Sequence, residues 1–205
     1  MKLILASASP RRAEILRDAG FAFELAQANI DETRLRGETA RAMTRRLAEA
    51  KARAVAERFE DVPQEAIVIG ADTTVEVRGR LLGKPGSAKA AREMLVKLSG
   101  RTHRVVTSVA ILRLSDRVRK IATEATRVRF APMSPGEIAA YVATGEPMDK
   151  AGAYAVQGIG GRFIEQIDGC YFNVVGLPLA RLYQMLLGLG WQSPRRARKG
   201  GRAAG

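Results

Sequence analysis

The chain has 205 residues, 46% hydrophobic and 27% charged, which suits one globular domain with a sizeable core and excludes a wholly disordered chain. Its 34 Lys and Arg against 21 Asp and Glu leave a formal net charge of +13, so its favoured partners are anions: nucleic acid, a membrane surface or a phosphorylated small molecule. A single Cys170 excludes a disulfide framework and a CxxC zinc site, a single His103 excludes a two-histidine site, and no apolar run is long enough to span a membrane.

The apolar stretch after Met1-Lys2 is too short for a signal-peptide core and runs at once into Arg11-Arg12, so a cytoplasmic location is expected. Residues 3–6 read as a buried strand, and 10–19 as a helix stopped by Gly20. Residues 38–59 read as a long helix with an apolar stripe at Met43, Leu47, Ala50, Ala54 and Val55. The run 66–71 is a strand that continues through Val77, with Arg78-Gly79 able to turn it into a hairpin. A helix follows over 88–98, with Ser87 as its cap. The β-branched runs 103–114 and 119–130 predict an antiparallel pair. Residues 134–144 predict a short helix opened by the capping box Ser134-Pro135-Gly136-Glu137. The glycine-rich stretch 152–161 is expected to be loop, 162–167 strand with a turn at Asp168-Gly169, and 178–187 a helix with stripe Leu179, Leu182, Tyr183 and Leu186. This alternation predicts an α/β fold with a mixed sheet.

Several residues depart from local rules. Ser9 is a good N-cap and Pro10 a good first helical residue, yet Arg11 and Arg12 follow, the wrong sign for a helix N-terminus. Free backbone N–H groups beside two guanidinium groups, after a strand, describe an anion site. Lys51 lies on the apolar stripe of its helix, where a lysine either snorkels past the core edge or points into a polar cleft. Asp72 interrupts an apolar strand and is either a strand-end cap or a metal ligand or general base. Strand alternation puts Asp72 and Thr73 on opposite faces, so sharing one site calls for a bulge at Gly70 or the end of the strand. Asp31-Glu32 can join Asp72 in an oxygen-ligand site for a hard divalent cation, and Lys84 can reach back toward it. Gly152, Gly158, Gly160 and Gly161 surround Gln157; such a loop lets backbone approach a ligand, and a carboxamide can read a base edge. Four cations (Arg11, Arg12, Lys51, Lys84) facing two or three carboxylates suit a nucleotide polyphosphate bound with a metal.

The stretches LASASPRRAEIL (5–16), IDE (30–32), RLAEAKARAV (46–55), IGADTTV (69–75), GKP (83–85), LSGRTHRVVTSVAI (98–111), Y-x-x-TGEPMDKAGAYAVQG (141–158) and NVVGLPL (173–179) resemble the Maf family of nucleoside triphosphate pyrophosphatases. That resemblance implies a Maf/ITPase-like α/β fold: an extended mixed sheet flanked by helices, two lobes, and a central cleft. It implies hydrolysis of a nucleoside triphosphate between the α and β phosphates with a divalent cation, Mg or Mn. By the same resemblance Asp72 is the proton acceptor that activates water, and Ser7, Arg11, Arg12, Lys51 and Lys84 match phosphate-contacting positions. Glu32 matches an acidic position near the metal, which Asp72 shares, and Lys150 falls in a cleft-lining segment. The branch acting on dTTP and UTP carries the residues found here as Arg11, Thr73 and Gln157, whereas the sister branch acting on 7-methyl-GTP departs at the first two. The expected substrates are therefore dTTP, UTP and modified pyrimidine triphosphates, with a homodimer as the family expectation.

One catalytic domain is expected over 1–190. The tail 191–205 carries Arg195, Arg196, Arg198, Lys199 and Arg202 with no acid, and is expected to be disordered. It is the sequence support for a rival reading, a nucleic-acid-binding regulator of cell division. Against that reading, aromatic residues make up only 5% of the chain, so stacking platforms are scarce.

Overall fold

A computed structural model describes residues 1–59 and 65–192. In chain order the elements are β1 (Lys2–Ala6), α1 (Pro10–Asp18), β2 (Glu24–Leu25), α2 (Ala40–Ala56), β3 (Ala66–Val77), β4 (Arg80–Leu82), α3 (Ala88–Leu98) and β5 (Thr102–Arg113). They continue with β6 (Arg119–Phe130), α4 (Pro135–Ala143), β7 (Ile164–Asp168), α5 (Tyr171–Val175) and α6 (Leu179–Leu187). The described strands form one seven-stranded mixed sheet in the order β2-β1-β3-β5-β6-β7, with β4 also on β3. β1 runs parallel to β2 and β3, and the remaining pairs are antiparallel. This is the expected mixed α/β class.

The two long central strands carry the architecture. Each reads apolar, then polar, then apolar: Ala66–Ala71, Asp72-Thr73-Thr74 and Val75 on β3; Val105-Val106, Thr107-Ser108 and Val109–Leu112 on β5. Their register pairs Asp72 with Ser108 and Thr73 with Thr107, so the polar stretches coincide. On one side of this belt the sheet is covered on both faces. Leu3, Leu5, Ile67, Ile69 and Ile111 pack with Leu16 of α1 and Leu182 and Leu186 of α6. On the other face Ile4, Val68 and Ala110 pack with Ala48, Ala52 and Val55 of α2. Beyond the belt Val75, Val77, Val105, Val128 and Phe130 form a separate core with Leu95 and Leu98 of α3 and Ile138 of α4. Two cores on one continuous sheet make two lobes, and the polar belt is the waist between them.

The waist also has an open edge. β1 pairs with β3 as far as Gly70, and β4 takes over on that edge only from Val75. Among the described residues, 71–74 therefore lack a strand neighbour on the β1 side, while β5 pairs the opposite edge throughout. β3 neither bulges nor ends at Gly70, as the alternation argument required; Asp72 and Thr73 stay on opposite faces and share a cleft because it wraps this free edge. Gly70 has another use. A Cβ there would stand 2.2 Å from the Ala48 carbonyl oxygen and 2.8 Å from the Ala52 amide nitrogen, so the glycine lets the α2 backbone press onto the sheet.

That close approach explains a shift in the α2 stripe. Its buried residues include Ala40, Thr44, Leu47, Ala48, Lys51, Ala52 and Val55, whereas Met43, Ala50 and Ala54 are only partly buried. Small Ala48 and Ala52 face the sheet because nothing larger fits there. On α6 the buried side chains are Leu182, Met185 and Leu186, with Tyr183 turned outward. Trp191 is 4% exposed and stacks on Phe21 at 5.2 Å, so the packed body runs past the expected boundary at residue 190. The rest of the basic tail, residues 193–205, lies outside the described residues. Among the described residues no helix is long and apolar enough to cross a membrane.

Two stability measurements check this account. Gly70→Ala should destabilise by about 2–4 kcal/mol in urea unfolding, because its methyl group meets backbone rather than a yielding side chain. The second concerns His103, buried edge-on to Phe130, whose Nε2 lies 2.8 Å from the Tyr154 hydroxyl. Burial pushes its imidazole down to about 4. The unfolded chain takes up this proton near 6.5 and the folded chain only near 4, so His103's contribution is complete above pH 6.5 and is lost as pH falls toward 4. The total is about 3 kcal/mol. Unfolding midpoints of His103→Gln should therefore depend less steeply on pH across that window than those of the parent.

Candidate active site

The site starts where β1 ends. Ser7–Ser9 turn the chain into α1, whose first turn carries no acid. Ser9 does not cap the helix with its side chain; its own amide donates to Ser7 Oγ at 3.1 Å. Among the described residues, no side chain accepts from the N–H groups of the first turn, which lie at the end of a parallel strand pair, where α/β sheets place ligands.

Arg12 is buried beneath this turn. Its Nε donates to the Gly176 carbonyl at 2.8 Å, Nη1 to Ser7 Oγ at 3.2 Å and Nη2 to Thr73 Oγ1 at 3.0 Å. One guanidinium therefore ties the β1 turn, the waist of β3 and the end of α5 together. Burial works against its charge, and Asp72 and Glu32 oppose that; arginine stays protonated throughout. The Thr73 hydroxyl also lies 3.0 Å from Thr107 Oγ1, which donates to the Asn173 carbonyl. Thr73 is thus engaged by its own chain on the α1 face. Arg11, one residue earlier, reaches across the cleft to Asp149 Oδ2 at 3.2 Å, and Asp149 Oδ1 accepts from Lys150 Nζ at 2.6 Å.

On the other face α2 delivers Lys51. Its Nζ donates to Asp72 Oδ1 at 2.7 Å and pairs with Glu32 Oε1 at 2.9 Å. Of the two sequence alternatives for Lys51, the structure has the polar cleft. Burial pushes the Asp72 carboxyl above the ordinary carboxylate range, against the pull of Lys51 and Arg12. Burial acts the same way on Glu32, but the hydrogen bond and charge of Lys51, with Lys84 and Arg12, outweigh it and hold that carboxyl low.

A cleft of about 650 Å³ joins these groups. Ser7, Arg11, Arg12, Glu32, Lys51, Asp72, Thr73, Lys84, Lys150 and Gln157 all line it, so every site residue singled out in the sequence except Asp31 falls on one surface. Arg34 and Asp149 line it too and were not singled out. With them the walls carry six basic and three acidic side chains, an excess suited to a polyanion. Asp31 is not among the lining residues; its carboxylate accepts from the Thr33 amide at 2.8 Å, a local turn.

The donor set fits a hard divalent cation. Glu32 and Asp72 already converge on one cation, the Lys51 ammonium. Magnesium-type ions bind through one or two carboxylates and complete their shell with water and phosphate oxygens. Among the described residues no group of three or more His, Cys, Asp or Glu side chains is placed to hold a metal, so those further ligands would come from substrate and solvent.

The glycine-rich segment behaves differently from its sequence reading. A Cβ at Gly158 would lie 2.2 Å from Glu146 Oε2, and one at Gly160 would lie 2.4 Å from the Tyr141 hydroxyl. These glycines admit the chain's own Glu146 and Tyr141 rather than a ligand. Gln157, immediately before Gly158, is exposed and lines the cleft.

A family model described as Maf-like protein matches residues 2–189. A dTTP/UTP pyrophosphatase of Anaeromyxobacter sp. (strain Fw109-5) is 47% identical, over 98% of each chain. One of Pelotomaculum thermopropionicum is 49% identical, over 93% of this chain and 97% of the relative. Among solved structures the Staphylococcus aureus Ham1 protein, 18% identical, covers 92% of this chain and 100% of its own with a TM-score of 0.52, a likeness of fold. The match runs from β1 past the end of α6 and takes in every residue of the cleft, so the chain belongs to the Maf family.

Proposed function

We propose that this protein hydrolyses dTTP and UTP, and modified pyrimidine triphosphates of the same shape, to the nucleoside monophosphate and pyrophosphate. The observation that carries the reading is the convergence of the sequence-identified cations and carboxylates on one cleft, with Asp72 at its floor. The relatives bearing that activity by name add to it.

The triphosphate lies against the start of α1, with Arg11, Arg12, Lys84 and Lys150 around its phosphates and Ser7 at the turn. Asp72 spends one oxygen on Lys51; its other oxygen accepts a proton from water. The water oxygen attacks the α phosphorus, the bond to the bridging oxygen breaks, and pyrophosphate leaves with its growing charge offset by the basic walls. A divalent cation held by Glu32 and Asp72 would supply further charge neutralisation at the phosphates. Lys51 keeps Asp72 oriented and ionised in a buried place. Gln157 at the rim presents a donor and an acceptor to the pyrimidine edge. A base without the matching donor and acceptor leaves that carboxamide unpaired and binds less well.

Pyrophosphate release from a panel of nucleoside triphosphates, 7-methyl-GTP included, with magnesium and with manganese, tests the substrate assignment. Release from dTTP and UTP is expected; release from purine triphosphates alone overturns it. Asp72→Asn should lower kcat about a hundred- to ten-thousand-fold while nucleotide affinity stays within a few-fold. Near-parental turnover in this variant would remove Asp72 from the role of base.

A further inference from the structure

We propose that Glu146 is a positioning residue for base recognition, fixing the loop that carries Gln157. The proposal rests on the pyrimidine-reading role given to Gln157 above.

Glu146 opens the turn after α4 and is not among the residues lining the cleft. Its carboxylate is nonetheless fully engaged. Oε2 accepts from the Ile159 amide at 2.8 Å, and Oε1 accepts from the Gly160 amide at 3.0 Å and from the Tyr141 hydroxyl at 2.7 Å. The Tyr141 oxygen in turn accepts from the Ala155 amide at 3.2 Å. Gln157 lies two residues after Ala155 and two before Ile159, so both flanks of its loop are anchored to one node. The Ile159 and Gly160 anchors end on a carboxylate and are charge-assisted, which makes them stronger than neutral bonds, while the Ala155 anchor is a neutral bond relayed to Glu146 through the Tyr141 hydroxyl. Gly158 and Gly160 are the complement of this node: a side chain at either would collide with Glu146 or Tyr141. The Glu146 carbonyl also accepts from Lys150 Nζ at 2.8 Å, which joins the same node to the phosphate wall. A loop held at both ends presents its carboxamide at little ordering cost on binding, and that is the advantage a base-reading group needs.

The test compares Glu146→Ala, Tyr141→Phe, Gln157→Ala and the double variant Glu146→Ala/Gln157→Ala. It measures kcat and KM for dTTP, UTP, CTP and ATP, and the inhibition constant of inorganic tripolyphosphate, which has no base. Glu146→Ala should raise KM for dTTP and UTP about tenfold, narrow their preference over CTP, and leave tripolyphosphate inhibition within about twofold. The double variant should be no worse than the more affected single one, because both act through one group. Tyr141→Phe removes a single oxygen and should shift the preference the same way by less, and it carries the test should Glu146→Ala not fold. A uniform fall in kcat with the preference kept, or additive losses in the double variant, overturns the proposal. Preference lost in Gln157→Ala but kept in both Glu146→Ala and Tyr141→Phe overturns the positioning role alone. Preference kept in Gln157→Ala overturns the reading of Gln157 beneath it.

Discussion

The buried contact between Lys51 and Asp72 is the interaction on which the rest of the architecture depends. A carboxylate with side-chain exposure of 9% in the middle of a sheet is tenable only with a cation against it. Removing one partner of such a pair strands the other at about 3–5 kcal/mol. Much of the fold serves to bring the two together. Gly70 and the alanines of α2 let the helix lie close enough for a lysine side chain to reach the strand. The aligned hydroxyls of Thr107 and Ser108 make the surrounding belt polar. The gap between β1 and β4 opens that belt to solvent and ligand, so the buried pair is accessible from one edge.

The opposite face of β3 is organised by Arg12, and the two faces differ in kind. Lys51 neutralises a charge, whereas Arg12 braces backbone and hydroxyl groups from three elements that are distant in sequence. Its planar fork can hold three acceptors in fixed directions, which a lysine cannot. Arg11 meets its partner Asp149 near the surface, where an ion pair contributes about 0–1 kcal/mol. The adjacent arginines therefore differ in what holds them: Arg12 commits three donors to the cleft wall, whereas Arg11 has one weak surface partner that a phosphate group can replace at little cost.

Much of the candidate site was legible in the sequence because its residues contradict their surroundings. Arginines at a helix start, a lysine on an apolar stripe and an aspartate inside an apolar strand each oppose a local preference, and each turned out to line the cleft. Glu146 left no such trace. Its partners are backbone amides and one hydroxyl, and an acid after a helix is unremarkable in composition. The glycines that admit it are visible in the sequence and suggest the approach of a ligand, since a sequence does not say what comes close to a glycine. The brief β2 and α5 went unread because two and five residues are too few to show a period.

The sequence by itself determined the alternation of elements, the polar interruption of two long strands and the set of charged residues with no ordinary reason to be where they are. These are local matters of periodicity, capping and composition. Only the tertiary structure decided that Asp72 and Thr73 share a cleft while facing opposite ways, that Lys51 turns inward, and that α2 packs on its alanine face. Those outcomes depend on which strand occupies each edge of β3 and on how near a helix backbone can come to Gly70. Both are set by contacts between segments far apart in the chain, and no window of sequence contains them.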